Sequence, residues 1–132
     1  WTCPGQNFAF ISKTGDVAMK QQGAFVARWK RQGDFIMPGD DTRYMWQGII
    51  PNEENPMQKN PDRGFISSAN QKSTDDTYPY YLGAAADFPL YRGIIINKRL
   101  SAMSNITPED MQRLQTDNYN VFAEMARPAL LK

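Results

Sequence analysis

The chain has no histidine and one cysteine. A Ser-His-Asp triad, a Cys-His pair, a histidine-based zinc site and a four-thiolate zinc knuckle are therefore excluded within it. No Gly-rich phosphate loop is present either, since Gly33, Gly39 and Gly48 stand alone as turn residues. Chemistry is left to hydroxyls, carboxylates, amides and arginines, or is shared with residues outside the chain. Ser67 and Ser68 are adjacent hydroxyls of the nucleophilic type, but with no base in the chain they read as strand residues. Asp75-Asp76 is a carboxylate pair of the kind that suits calcium, and it reads more simply as a solvated turn.

These residues need a scaffold, and 132 residues with 41% hydrophobic and 22% charged side chains suffice for about one ordinary domain or a fragment of a larger one. The net charge of +1 argues against the dense basic face that nucleic acid requires. No apolar run is long enough to span a bilayer. The first residues show no charged-then-apolar signal-peptide pattern, and the opening Trp1-Thr2-Cys3 predicts a processed chain or an excised fragment. Cys3 alone cannot form an internal disulfide and leaves the redox compartment open.

Along the chain, Phe8, Phe10, Val17, Met19, Phe25 and Val26 alternate with polar residues around Lys13-Thr14-Gly15-Asp16. That pattern predicts two or three antiparallel strands with a tight turn at Gly15. Residues 28–61, rich in proline and glycine, predict a surface loop pinned by Tyr44 and Trp46. Gly64 to Asn70 (GFISSAN) predicts a short buried strand and a polar turn. Leu90 to Met103 predicts a helix despite Gly93 and the β-branched run Ile94-Ile95-Ile96. Thr107-Pro108-Glu109-Asp110 is a helix start with a capping hydroxyl, a proline in the first turn and acids at the positive end. Met111, Leu114, Asn118, Val121, Phe122 and Met125 follow at helical spacing as ordinary helix core, with Pro128 as the stop.

The run Asn60-Pro61-Asp62-Arg63-Gly64-Phe65-Ile66-Ser67-Ser68-Ala69-Asn70-Gln71 resembles the penicillin acylase family of N-terminal nucleophile hydrolases. In that family an NP, two variable residues, G, aromatic, I/V stretch leads into a turn ending in Asn-Asn or Asn-Gln. Other pieces agree in order. Pro4 to Phe8 with Thr14 to Val17 is similar to the family hairpin. Pro38-Gly39-Asp40-Asp41, Tyr44, Trp46, Gly48 and Pro51 match its PGWDG…Y.W.G.IP loop. Tyr78 to Gly83 precedes Tyr91-Arg92, and Ile106 to Leu131 is similar to a family helix. The resemblance covers nearly the whole chain.

It implies an amidase whose N-terminal serine attacks a linear amide, with its own α-amine as base. Such an amine titrates at about 7.7–8.0, near working pH, so no histidine is required. Trp1 stands first here, and Thr2 lies well downstream of the family's nucleophile strand. The resemblance therefore implies an internal segment of the large (β) chain, inactive alone. Asn70 aligns with the asparagine that donates to the oxyanion, whereas read by itself it caps a turn. Arg92, 22 residues later, matches the arginine that orients the oxyanion asparagine and the nucleophile's amine; otherwise it is a surface arginine at a helix start. Ser68 and Ala69 replace an asparagine and an aromatic of many relatives, which leaves substrate choice open. Phe25, Trp29, Tyr44, Trp46 and Tyr80 could line an acyl site, although core packing or contact with the rest of the enzyme explains each more simply.

The implied fold is α+β, a portion of the layered αββα architecture with antiparallel strands first and a C-terminal helix. The implied partners are the nucleophile-bearing remainder of the large chain, the small chain, and a small-molecule amide such as a phenylacetyl-type penicillin or an acyl-homoserine lactone. Calcium belongs to many relatives, so the complete enzyme could bind it, but the family's aspartate ligand falls near Leu82 and no metal or cofactor ligand is assigned here. The family works in the periplasm or outside the cell. An isolated segment would expose apolar surface and self-associate. Two rivals stand beside this reading: a freestanding aromatic-rich module binding sugar or peptide ligands, and a subunit-contact domain with no chemical role.

Overall fold

The computed structural model describes residues 2–83 and 89–131. They fall into two compact units, one of residues 2–66 and 72–83, the other of residues 67–71 and 89–131. The order is strands first and helices last, a mixed α and β composition as expected.

The first unit is built on an antiparallel sheet of order β1-β2-β5, with β1 at Gln6–Ile11, β2 at Val17–Gln22 and β5 at Met57–Lys59. The predicted hairpin is present, pairing Phe8 with Lys20 and Ile11 with Val17. Its turn places Gly15 at φ +93°, where a side chain would be strained, and closes with Ser12 N–H donating to Asp16 C=O at 2.8 Å. The third expected strand is short: β3 at Val26–Ala27 pairs in a separate two-stranded sheet with β4 at Gly48–Ile49.

Residues 28–61 are more ordered than a surface loop. Besides β4 and β5 they hold short 3-10 turns at Thr42–Tyr44 and Asn52–Glu54. Of the two predicted pins, Tyr44 packs against Trp29 with ring centroids 6.1 Å apart, but Trp46 is 68% exposed and pins nothing. Gln32 does that work. Buried at 3% exposure, it donates from Nε2 to the Tyr44 and Met45 carbonyls and accepts from Trp29 N–H. Asn55, also buried, donates to Gly23 C=O. A buried amide that satisfies several backbone groups holds an irregular segment as a ladder holds a strand.

Asn60 opens the family-like run and is a clasp. Its Oδ1 accepts from Val17 N–H at 2.9 Å and its Nδ2 donates to Asp16 at 2.7 Å, tying the end of β5 to the hairpin turn. The Asp16 carboxyl is held below its usual range, chiefly by that bond and then by the Lys59 charge. The expected strand over Gly64 to Asn70 is absent: residues 65–68 have no ladder partner among the described residues and run as an irregular segment. A β-rich composition makes a strand only where another edge is available.

In the second unit, α1 spans Tyr91–Ser101, close to the expected helix. The long C-terminal helix is two helices, α2 at Pro108–Gln115 and α3 at Val121–Leu130. The start at Thr107 is a full capping box, with Thr107 accepting from Asp110 N–H and Asp110 accepting from Thr107 N–H. The helical run breaks where short polar side chains compete for backbone donors: Asp117 accepts from Tyr119 N–H, and Asn120 caps α3 by accepting from Ala123 N–H. Pro128 does not stop the helix. It lies inside α3, which continues to Leu130.

The apolar stripe is likewise not a buried core. Val121 is buried at 4% exposure, whereas Phe122 and Met125 are 54% and 62% exposed. The unit buries Leu100 of α1, Val121 of α3 and Ala69. Tyr91 and Phe122 pack with centroids 5.3 Å apart, and Arg99 pairs with Asp117 at 2.7 Å. No described helix is long and apolar enough to cross a membrane.

Candidate functional site

Asn70 and Arg92 come together in the second unit. Asn70 ends the 67–71 turn at φ +62°, in the left-handed region that asparagine tolerates better than most residues. Arg92 is the second residue of α1, and its Nη2 donates to Asn70 Oδ1 at 2.5 Å. Both side chains lie on the exposed part of the unit.

The direction of that bond decides what the carboxamide can do. A guanidinium has donors only, so the Asn70 atom facing it must be the oxygen. The Nδ2 amine then points away from Arg92, and no acceptor among the described residues takes its hydrogens. An amide held in this way presents a neutral N–H donor toward any oxygen that gains negative charge beside it. It lends its dipole without being consumed as an acceptor.

The turn is tied locally. Ala69 N–H donates to Gln71 Oε1 at 2.6 Å, Gln71 Nε2 donates to Ser67 C=O at 3.0 Å, and Ser67 Oγ donates to Asn97 Oδ1 at 2.9 Å. Asn97 in turn donates to Gly93 C=O on α1. Ser67 is thus part of the support for the turn, and not the strand residue expected. Gln71 and Asn97 were absent from the sequence-derived site. The Asn-Gln ending of the family-like run was the available signal for the first, and nothing in the sequence flagged the second.

Asp75, Asp76, Leu82 and Tyr80 belong to the first unit. Asp75 accepts from both Thr77 N–H and its hydroxyl, a turn that holds its carboxyl below the usual range. Asp76 pairs with Lys72 at 2.6 Å. No group of three or more acid, cysteine or histidine side chains suited to a metal occurs among the described residues. Leu82, near the family's calcium ligand, offers no carboxylate, and its carbonyl accepts from Arg28 Nη2 at 3.2 Å. A calcium ion at that carbonyl would face the Arg28 charge.

The tyrosines are engaged within the first unit. Tyr81 OH donates to Asp34 at 2.6 Å, and Tyr80 OH and Tyr78 OH donate to Glu54 at 2.5 and 3.0 Å. Each phenol is pushed up: Tyr80 and Tyr81 mainly by hydrogen bonding to a carboxylate, Tyr78 mainly by burial.

Comparison with known proteins finds relatives among acylases. The chain is 25% identical over 130 residues to the penicillin acylase 2 proenzyme of Pseudomonas sp. (strain SE83), covering 98% of this chain and 17% of that protein. It is 24% identical over 116 residues to the acyl-homoserine lactone acylase QuiP of Pseudomonas syringae pv. tomato, covering 86% and 14%. To QuiP of Pseudomonas putida it is 30% identical over 88 residues, covering 67% and 11%. The chain therefore spans less than one-fifth of the length of these relatives. The sequence profile described as penicillin amidase matches residues 1–132, and the chain belongs to that family.

Proposed function

We propose that this chain is an internal segment of the large chain of an amidase that hydrolyses linear amides through an acyl-serine intermediate. The whole enzyme would have the layered αββα architecture of N-terminal nucleophile hydrolases. In the first step the serine Oγ attacks the amide carbon, its proton passes to the serine's own α-amine, and the carbonyl electron pair moves onto oxygen. The oxyanion collapses, expelling the amine, which leaves with the proton. Water then hydrolyses the acyl-serine ester. The serine is supplied by the remainder of the enzyme, and this segment supplies Asn70 Nδ2 as a donor to the oxyanion, with Arg92 holding the carboxamide in the donating orientation.

The observation that carries the reading is the Arg92–Asn70 hydrogen bond, formed between the two positions to which the sequence resemblance points. Because the relatives are named as acylases of penicillin and of acyl-homoserine lactones, the substrate class proposed is an N-acyl amide with a carboxylic acid product. Periplasmic or extracellular action is part of the same proposal. The 132-residue chain alone is expected to show no turnover.

The test is to denature the native enzyme during turnover of an N-acyl substrate and to map the acyl group by peptide mass. The proposal expects the acyl group on an N-terminal serine of a chain that also yields the Asn70 peptide. A mature chain containing Asn70 but no N-terminal serine, with no acylated peptide, would contradict it.

A further inference from the structure

The side chain of Gln71 spans the turn that carries Asn70. It follows Asn70 in sequence yet holds two backbone groups that precede it, accepting from Ala69 N–H at 2.6 Å and donating to Ser67 C=O at 3.0 Å. Ala69 is 6% exposed and the bond from its N–H is partly buried, so losing that acceptor is costly. Between these anchors the backbone at Asn70 takes φ +62°. The same side chain also lies against α1: a Cβ placed on Gly93 would be 3.8 Å from Gln71 Oε1 and 3.9 Å from Gln71 Cβ. Gly93 directly follows Arg92. One side chain therefore closes the turn that aims the carboxamide and touches the helix beside the guanidinium that holds it.

We propose that Gln71 is a positioning residue for amide hydrolysis, setting the place and rotation of the Asn70 carboxamide through the closed turn and its seat on α1. This rests on the reading of Asn70 as the oxyanion donor. Such a donor acts only when its nitrogen sits about 2.7–3.1 Å from the developing charge. A misplacement of about 1 Å can cost on the order of 100-fold. Gln71 does not touch the reacting atoms, and its whole effect runs through Asn70.

The test uses the full-length, self-processed amidase carrying this chain, with rates normalised to titrated N-terminal serine so that unfolded or unprocessed molecules drop out. Gln71→Met keeps the length of the side chain and removes both hydrogen bonds. Gln71→Glu, which keeps an acceptor for Ala69 N–H, is made alongside as a milder change. The expected result for Gln71→Met is a fall in kcat of about 10- to 100-fold with KM changed by less than about twofold. In an Asn70→Gly background the same substitution is expected to cause no further loss. An unchanged kcat, a loss confined to KM, or the same loss in both backgrounds overturns the positioning role; if Asn70→Gly is itself slow, the oxyanion reading survives. Wild-type kcat in Asn70→Gly overturns both.

Discussion

Arg92 Nη2 meets Asn70 Oδ1 at 2.5 Å, across a sequence separation of 22 residues. The bond joins the first turn of a helix to an exposed loop whose backbone is in the left-handed region. An exposed pair of this kind adds little to stability. Its consequence is directional: a donor-only guanidinium makes the asparagine present its nitrogen elsewhere.

Replacing Arg92 therefore acts on rate before stability. In the intact amidase, Arg92→Leu frees the carboxamide to rotate, and kcat is expected to fall on the order of 10- to 100-fold with the melting temperature almost unchanged. Steady-state kinetics and thermal melting of the same preparation check this. Equal kcat in the variant would show that the carboxamide needs no partner.

Gly23 is a point of backbone contact in the first unit. It sits at φ +153°, and a Cβ there would lie 2.9 Å from Gly5 Cα, where only backbone could yield. Gly23→Ala is expected to destabilise by about 2 kcal/mol or more, read from denaturant unfolding. Wild-type stability would mean that the two backbones can separate freely.

Gly93 gives the opposite sign. Its nearest neighbours would stand 3.8–3.9 Å from an added Cβ, ordinary contact distances, and the residue lies inside α1. Gly93→Ala is expected to stabilise the unit by up to about 1 kcal/mol, because alanine is the better helix former. A lower unfolding midpoint would show that Gln71 packs against α1 more tightly than these distances allow.

Acid should weaken the helical unit. The Asp110 carboxyl is held below its ordinary value of 3.8 by Thr107, and the Asp117 carboxyl by Arg99 and then by Tyr119 N–H. Folded carboxyls with depressed values bind fewer protons than the unfolded chain. Their stabilisation is therefore complete above the unfolded value and is lost as the pH falls through the folded one. Melting temperature is expected to drop below about pH 4, and Asp117→Asn to flatten part of that fall. An acid limb unaltered by Asp117→Asn would assign the loss to other groups.

How much of this was legible in the sequence depended on the range of the interactions. The hairpin at Gly15 and the helix start at Thr107 were readable because each is set by residues within a few positions of one another. The strand expected at Gly64 to Asn70 failed because pairing needs an edge that local composition does not report. The break between α2 and α3 was hidden by an apolar spacing that runs on through it, while Asp117 and Asn120 redirect the backbone. Gln32 was missed for a similar reason: a buried glutamine that pins a loop looks like any surface glutamine until its partners are known. At the candidate site, the family motif pointed to Asn70 and Arg92, and the supports from Gln71 and Asn97 depend on geometry.

The most direct test of the central claim is the pre-steady-state rate of acylation in the intact amidase with Asn70→Gly. Glycine accepts the φ +62° backbone without strain, so the substitution removes the carboxamide and little else. The account predicts an acylation rate lower by on the order of 10²–10³-fold. Acylation at the wild-type rate would contradict it and leave Asn70 as a turn residue alone.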